Sequence, residues 1–182
     1  MAETFRLFIG GGGDDWISHL VEDYRAEYQQ RNPGLKTEYF SWTQQVLIAN
    51  LLRWLPSDAI IAVVGHSYGA DAAFSAVTEG RAVRVLVSID PVGRFRPSWP
   101  SIRAAARFWL NVRAEPSSKN HSSDDVIASI GGKYPRPPER GEPGAPDFSI
   151  IADATHGAFR QMMRQSVAGV SGASLLGGNR VP

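Results

Sequence analysis

The sequence predicts an α/β domain in which a mostly parallel sheet of about six strands is flanked by helices. Short apolar runs alternate along the chain with longer stretches of helical spacing. Glycine or proline bounds most of these runs. The run at 59–64 is almost continuously apolar, as expected of a central parallel strand whose two faces are both covered.

The first elements are predicted from changes in the spacing of apolar residues along the chain. A strand is predicted at 5–9, directly before four glycines and two aspartates at 10–15. The helix expected after them has apolar residues at three- or four-residue spacing, which indicates one buried stripe. That stripe consists of Trp16, Ile17, Leu20, Val21, Tyr24 and Tyr28. A short strand at 37–42 and a second helix at 46–55, ended by Pro56, come next.

The remaining elements continue the alternation after the central strand. They are helices at 70–78, 102–106 and 159–165 and strands at 84–89, 108–112 and 148–151. The segment 115–146 is polar and rich in proline and glycine, and it is expected to be a long loop or lid. The Gly- and Ser-rich stretch at 169–182 is expected to be a flexible tail. No repeat is visible, so residues 1–182 are taken as a single domain.

Composition excludes several classes of function. The 182 residues are 43% hydrophobic, which supplies enough apolar surface for a buried core. Nineteen Lys and Arg residues nearly balance eighteen Asp and Glu residues, so no global field favours nucleic acid. The absence of cysteine excludes disulfides, thiolate metal sites and cysteine nucleophiles.

No targeting or spanning segment is visible in the sequence. The chain lacks a basic start followed by a long apolar run, and no apolar run approaches the length that spans a bilayer. We therefore expect a soluble protein without stable membrane insertion, cytoplasmic by default. Export without a signal peptide and the oligomeric state are left open.

The sequence Gly-His-Ser-Tyr-Gly at 65–69 matches the pattern that displays a nucleophilic serine on a sharp turn. The pattern is short, so its context matters more than the match itself. A predicted buried strand precedes it and a small-residue helix follows, which is the arrangement that this turn requires. Ser67 is the candidate nucleophile, and a purely structural tight turn is the alternative.

A serine hydroxyl needs a base to accept its proton and a third group to orient that base. His156 follows the last predicted strand, where a loop at the carboxyl edge of the sheet would bring it to Ser67. His121 is its main rival. His66 is expected to support the site by packing or hydrogen bonding, and His19 is expected on the polar side of the first helix.

Asp90 is the candidate acid because it ends the strand after the nucleophile helix, and Pro91 stops that strand beside it. A turn aspartate without catalytic function is the alternative. Glu115 and Asp153 are the rival acids.

An oxyanion site also needs two backbone donors. The amide of Tyr68 is one candidate. Gly12, with Gly11 next, is favoured for the second, because a loop without side chains lets amides approach a substrate oxygen.

These features together resemble the α/β-hydrolase superfamily, whose members use the chain order Ser, Asp, His. The segment Ser-Ile-Asp-Pro-Val-Gly at 88–93 further resembles the Asp-Pro segment of the pancreatic-lipase branch. The resemblance spans residues 5 to about 163. It implies a serine hydrolase that acts on esters without a metal or an organic cofactor.

The chain is shorter than most members of that superfamily, so no full cap domain is expected. It also lacks the disulfides and signal of the lipase branch, so that branch's substrate is not carried over. Phe95, Trp99 and Phe159 are candidates for lining a cleft for an acyl chain, and core packing is an equally good explanation for them.

The leading hypothesis is therefore a lipase-, esterase- or phospholipase-like enzyme for a small ester or lipid. A thioesterase or amidase that uses the same residues is one alternative. A non-catalytic binding module on a hydrolase scaffold is the other.

Overall fold

A computed structural model describes residues 2–93, 96–119 and 121–177. Its centre is a six-stranded sheet of order β2-β1-β3-β4-β5-β6, in which every neighbouring pair is parallel. The strands are β1 (Thr4–Gly10), β2 (Lys36–Ser41), β3 (Ile60–His66), β4 (Val83–Ile89), β5 (Ala106–Ala114) and β6 (Phe148–Ala152). The predicted fold class is confirmed, and β3, the almost continuously apolar run, lies inside the sheet.

Helices cover both faces of this sheet. They are α1 (Leu20–Arg31), α2 (Gln45–Trp54), α3 (Tyr68–Glu79), α4 (Trp99–Ala104), α5 (Ser123–Ile130), α6 (Phe159–Arg164) and α7 (Gly172–Gly177). Buried residues of α2, α3 and α4 form one core layer, and those of α1, α6 and α7 form the other.

The apolar run of β3 supplies both core layers. Ile61 and Val63 belong to the layer of α2, α3 and α4, whereas Ala62 and Val64 belong to the opposite layer. Successive side chains of a strand point to opposite faces of its sheet. A strand covered on both faces therefore needs apolar residues at every position, as the sequence has here.

The predicted first helix differs at its start. Residues Asp14–Ser18 form a single π-helical turn, and His19, at φ 45°, separates it from α1. Asp14 is buried and its carboxylate accepts the amides of Val21 and Glu22 at 3.1 and 3.3 Å, which caps α1 at Leu20.

One continuous buried stripe from residue 16 was therefore a wrong prediction. Trp16 and Ile17 are 81% and 82% exposed, and the buried face of α1 consists of Val21, Tyr24 and Tyr28. His19 lies between the π-helical turn and α1, and is not a residue of the polar side of α1.

The segment 115–146 contains α5 and is not the loop without secondary structure that was predicted. Ser122 and Asp125 form a capping box at the start of the helix, which is the sequence signal that could have revealed it. Polar and proline-rich flanks concealed this short helix.

The stretch after residue 169 is also more ordered than predicted. Strands β7 (Ser166–Val167) and β8 (Val170–Ser171) form an antiparallel hairpin, and α7 follows directly. Leu175 and Leu176 of α7 are buried in the core layer of α1 and α6. The expected tail therefore contains regular secondary structure at 170–177, and 178–182 lie outside the described residues.

The other predicted elements are present, with ends that differ by a few residues. No helix in the described ranges is both long enough and apolar enough to cross a lipid bilayer.

Candidate active site

Ser67 lies in the turn between β3 and α3, at φ 57° and ψ −128°. This is a strained conformation for a residue with a side chain. The neighbouring backbone is so close that only glycine fits at the positions two residues before and two residues after Ser67. A Cβ on Gly65 would lie 2.4 Å from the Gly69 carbonyl oxygen, and a Cβ on Gly69 would lie 2.2 Å from the Ile9 carbonyl oxygen. The sequence pattern therefore forms the sharp turn that it predicts.

Three side chains from separate parts of the sequence meet at this turn. Asp90 directly follows β4, and His156 lies in the loop after β6. His156 Nε2 is 2.9 Å from Ser67 Oγ, and His156 Nδ1 is 2.6 Å from Asp90 Oδ2. A carboxylate only accepts, so Nδ1 carries the proton and Nε2 is left to accept the Ser67 hydroxyl proton. The structure thus brings together the three side chains that the sequence singled out.

Asp90 is fully buried, and both of its oxygens have partners. Oδ1 accepts the Ala114 amide at 2.9 Å and lies 3.0 Å from Lys133 Nζ. Burial alone would raise the pKa of Asp90, but the hydrogen bond from His156 and then the charge of Lys133 outweigh burial and hold that pKa below its ordinary value. Asp90 is therefore a carboxylate. Lys133 was missed from the sequence because it lies in the segment treated as a lid.

His66 contacts His156 through a hydrogen bond and through ring stacking. Its Nε2–H donates to the His156 carbonyl oxygen at 2.9 Å, and the two imidazoles stack with centroids 5.0 Å apart. Phe159 packs against His66 at 5.3 Å. Burial, together with the nearby charge of His156, lowers the pKa of His66 to about 4. His66 is therefore neutral near neutral pH, and its Nε2–H tautomer makes this hydrogen bond.

Asp125 links α5 to the histidine loop and was also missed. Its Oδ1 accepts the His156 amide at 2.8 Å, while its Oδ2 accepts the Ser122 amide at 2.9 Å. One buried carboxylate therefore both caps α5 and fixes the backbone that carries His156.

The glycine loop after β1 contacts the other side of Ser67. A Cβ on Gly11 would lie 2.6 Å from Ser67 Cβ, and one on Gly12 would lie 3.2 Å from the Tyr68 ring. The Tyr68 amide belongs to the first turn of α3, where backbone N–H groups have no carbonyl partner within the helix. Gly11 is thus the glycine packed against Ser67, and Gly12 packs against Tyr68.

A cavity of about 240 Å³ opens at Ser67. Its polar wall includes Ser67, His156 and Asp124, and the glycine loop and Tyr68 also line it. Its apolar wall consists of Ile17, Leu20, Val92, Ile127 and Ala128. No group of three or more His, Asp or Glu side chains suited to a metal ion occurs in the part of the chain that the structure describes.

The predicted acyl-chain residues lie elsewhere. Trp99 packs against Phe74 and Trp109 in the core layer of α2, α3 and α4, and Phe159 is buried beneath His66. Neither lines the cavity, so core packing, the alternative explanation, accounts for both. Phe95 lies outside the described residues. Ile17 and Ile127 line the cavity instead, and no local pattern distinguished them from core residues.

The rival candidates have partners away from Ser67. His121 is exposed and lies 3.7 Å from Asp125. Glu115 pairs with Arg113 and Arg136. Asp153 accepts the Ser117 amide at 2.7 Å.

Comparisons with known proteins bear on the fold. No protein-family model matches the chain, and no curated protein matches it in sequence. A solved structure from Xanthomonas campestris pv. campestris, assigned to the hydrolases of the alpha/beta superfamily, is similar with a TM-score of 0.51 at 18% identity. The match covers 85% of this chain and 88% of that protein.

A metagenomic carboxyl esterase is similar with a TM-score of 0.43 at 14% identity, and the match covers 85% of this chain. The chain spans only 64% of the length of that esterase. The six-stranded parallel sheet and the Xanthomonas match together identify the architecture of this chain as the α/β-hydrolase fold.

Proposed function

We propose that this protein is a serine hydrolase that cleaves carboxylic esters through an acyl-enzyme on Ser67. The observation that carries the proposal is the unbroken chain of hydrogen bonds from Ser67 Oγ through His156 to Asp90, at 2.9 and 2.6 Å. A buried imidazole between a hydroxyl and a carboxylate is the arrangement that activates a serine. The chain supplies it next to an open cavity.

The reaction begins as Ser67 Oγ attacks the ester carbonyl and His156 Nε2 takes the hydroxyl proton. Asp90 stabilises the resulting imidazolium through Nδ1. The amides of Tyr68 and of Gly11 or Gly12 donate to the developing oxyanion. His156 then protonates the departing alkoxide, and a water molecule activated by the same imidazole releases the acid. No metal or organic cofactor takes part in this scheme.

The walls of the cavity favour an ester with an apolar acyl chain. Ile17 and Ile127 border the cavity although they are 82% and 64% exposed. Large apolar side chains left in water at the mouth of a cavity favour a ligand that covers them. An acyl chain that extends from an ester carbonyl bound at Ser67 would cover these two side chains. This supports the hydrolysis of esters with apolar acyl chains over the hydrolysis of small polar esters.

The direct test compares hydrolysis of p-nitrophenyl esters by the natural protein and by Ser67→Ala. Loss of the nucleophile should lower kcat by several powers of ten without unfolding the chain. Ser149→Ala, a change at an exposed residue of the edge strand β6, is the matched control and should retain full activity. An active Ser67→Ala protein would refute the proposal. Acyl thioesters and anilides in the same panel separate the thioesterase and amidase alternatives.

A further inference from the structure

We propose that Lys133 is a positioning residue for the group formed by Ser67, His156 and Asp90. Its ammonium shares the negative charge of Asp90 and so lowers the pH at which His156 becomes able to accept a proton. The inference rests on the proposed function, because it concerns the base of that reaction.

The two oxygens of Asp90 have different partners, and this division carries the proposal. Oδ2 bonds His156, whereas Oδ1 lies 3.0 Å from Lys133 Nζ and accepts the Ala114 amide. The Asp90 side chain is 0% exposed and that of Lys133 is 18% exposed. Lys133 and His156 therefore hold one desolvated carboxylate between them, where charges interact more strongly than in water.

The backbone holds Lys133 at this point. After α5 the chain runs beside the segment that follows Asp90, with Lys133 opposite Val92 in an antiparallel bridge. Hydrogen bonds on both sides fix the pairing, from the Gly93 amide to the Gly132 carbonyl and from the Tyr134 amide to the Pro91 carbonyl. Lys133 Nζ also donates to the Ala114 carbonyl oxygen at 2.5 Å. The ammonium is thus anchored by β5 as well as by Asp90.

The electrostatic consequence follows from this sharing. A carboxylate that faces only His156 would give its full charge to stabilising the imidazolium. The Lys133 ammonium offsets part of that charge, so the neutral imidazole, which is the form that accepts the Ser67 proton, persists to lower pH. The hydrogen bond from His156 is the largest of the causes that lower the pKa of the buried Asp90, and the charge of the Lys133 ammonium is the next.

Other ionisable groups also face His156. His66 stacks on its ring, and the pKa of His66, at about 4, leaves that group uncharged above this pH. Asp125 accepts the His156 amide, and the Asp124 carboxylate lies beside Gly157. None of these groups is altered by a substitution at Lys133, so a change in pH dependence would report the lost ammonium.

The test uses Lys133→Met, which removes the charge, and Lys133→Arg, which keeps it. For each protein, kcat/KM for a soluble short-chain ester and the rate of reaction with a fluorophosphonate are measured against pH. In Lys133→Met the midpoint of the acidic limb of both pH profiles should move to higher pH by on the order of one pH unit. Lys133→Arg should keep the natural midpoint. Lys36→Met is the matched control, since Lys36 pairs with Glu3 at 2.6 Å at the start of β2, the end of the strand remote from Ser67.

A purely structural function of Lys133 would give a different result. The activity of Lys133→Met would then fall equally at every pH, with an unchanged midpoint, and that outcome overturns the proposal. A midpoint that shifts in Lys133→Arg as much as in Lys133→Met also overturns it. Lys133→Gln provides a second neutral variant if the methionine variant does not fold. If the natural protein neither cleaves esters nor reacts with the fluorophosphonate, the proposed function fails. The NMR titration of the His156 ring in these variants still decides the effect of Lys133.

Discussion

Ser67, His156 and Asp90 are held by different local means. Ser67 depends on a strained turn between two glycines, and Asp90 depends on its position at a strand end, where it adopts a φ of 41°. His156 is held by side chains around it, through its amide to Asp125 and its carbonyl to His66. The base is therefore the member whose placement depends most on tertiary contacts.

The same distinction explains what sequence could predict at this scale. Ser67 and Asp90 are tied to local features, a glycine-bounded turn and a Pro-terminated strand, that are visible in the sequence. Asp125 reaches the site because α5 packs against the loop that carries His156, and Lys133 reaches it because the segment after α5 pairs with the segment after Asp90. No spacing rule relates them to Ser67, so sequence alone could not single them out.

His66 gives a prediction for stability at acid pH. Burial lowers its pKa from 6.5 to about 4, so in that interval the unfolded chain binds a proton that the folded chain excludes. Stability should therefore fall as pH decreases through this window, by up to roughly 3 kcal/mol. His66→Gln keeps a donor for the His156 carbonyl but cannot titrate, and its stability should depend less on pH.

Urea unfolding at about pH 7 and about pH 4.5 measures this difference between the two proteins. His19→Gln, a change at an exposed histidine, is the control for replacing a histidine by glutamine outside the core. A His66→Gln protein that loses as much stability between the two pH values as the natural protein would contradict the assignment of His66 as a buried neutral group.

At the scale of elements, α5 is oriented against the usual pattern of a surface helix. It buries Asp125 and Ala128 and leaves Val126, Ile127 and Ile130 exposed. The inward Asp125 is explained by its bonds to His156 and Ser122. The outward apolar face has no partner among the residues that the structure describes, and its edge at Ile127 reaches the cavity. Periodicity detects an apolar stripe but not the side to which it turns, so the sequence could not predict this orientation.

Ile127 gives a prediction for acyl-chain preference. Ile127→Asp should raise KM for an octanoyl ester about tenfold, because a charged side chain would replace about 1.5 kcal/mol of apolar contact. KM for the acetyl ester, which is too short to cover Ile127, should change little. Ile130→Asp is the matched control, since Ile130 lies on the exposed face of the same helix but does not line the cavity. Equal effects of Ile127→Asp on both esters would contradict an acyl site at α5.

At the scale of the whole molecule, the parallel sheet explains why distant residues converge. Strands β3, β4 and β6 all end at one edge of the sheet, so Ser67, Asp90 and His156 meet although 89 residues separate the first from the last. This architecture was predictable from the alternation of apolar runs and helical spacing. The ordered hairpin and α7 near the end of the chain were not, because Leu175 and Leu176 are buried by contacts with distant elements and are flanked by residues typical of loops.

The central claim is that this convergence makes the Ser67 hydroxyl reactive. The most direct measurement is mass spectrometry of the protein after treatment with a fluorophosphonate, which phosphonylates an activated serine with loss of fluoride. We predict a single covalent adduct on the peptide that contains Ser67, absent from Ser67→Ala and formed far more slowly by His156→Ala. A folded natural protein that remains unlabelled, or one labelled at a different serine, would contradict the account.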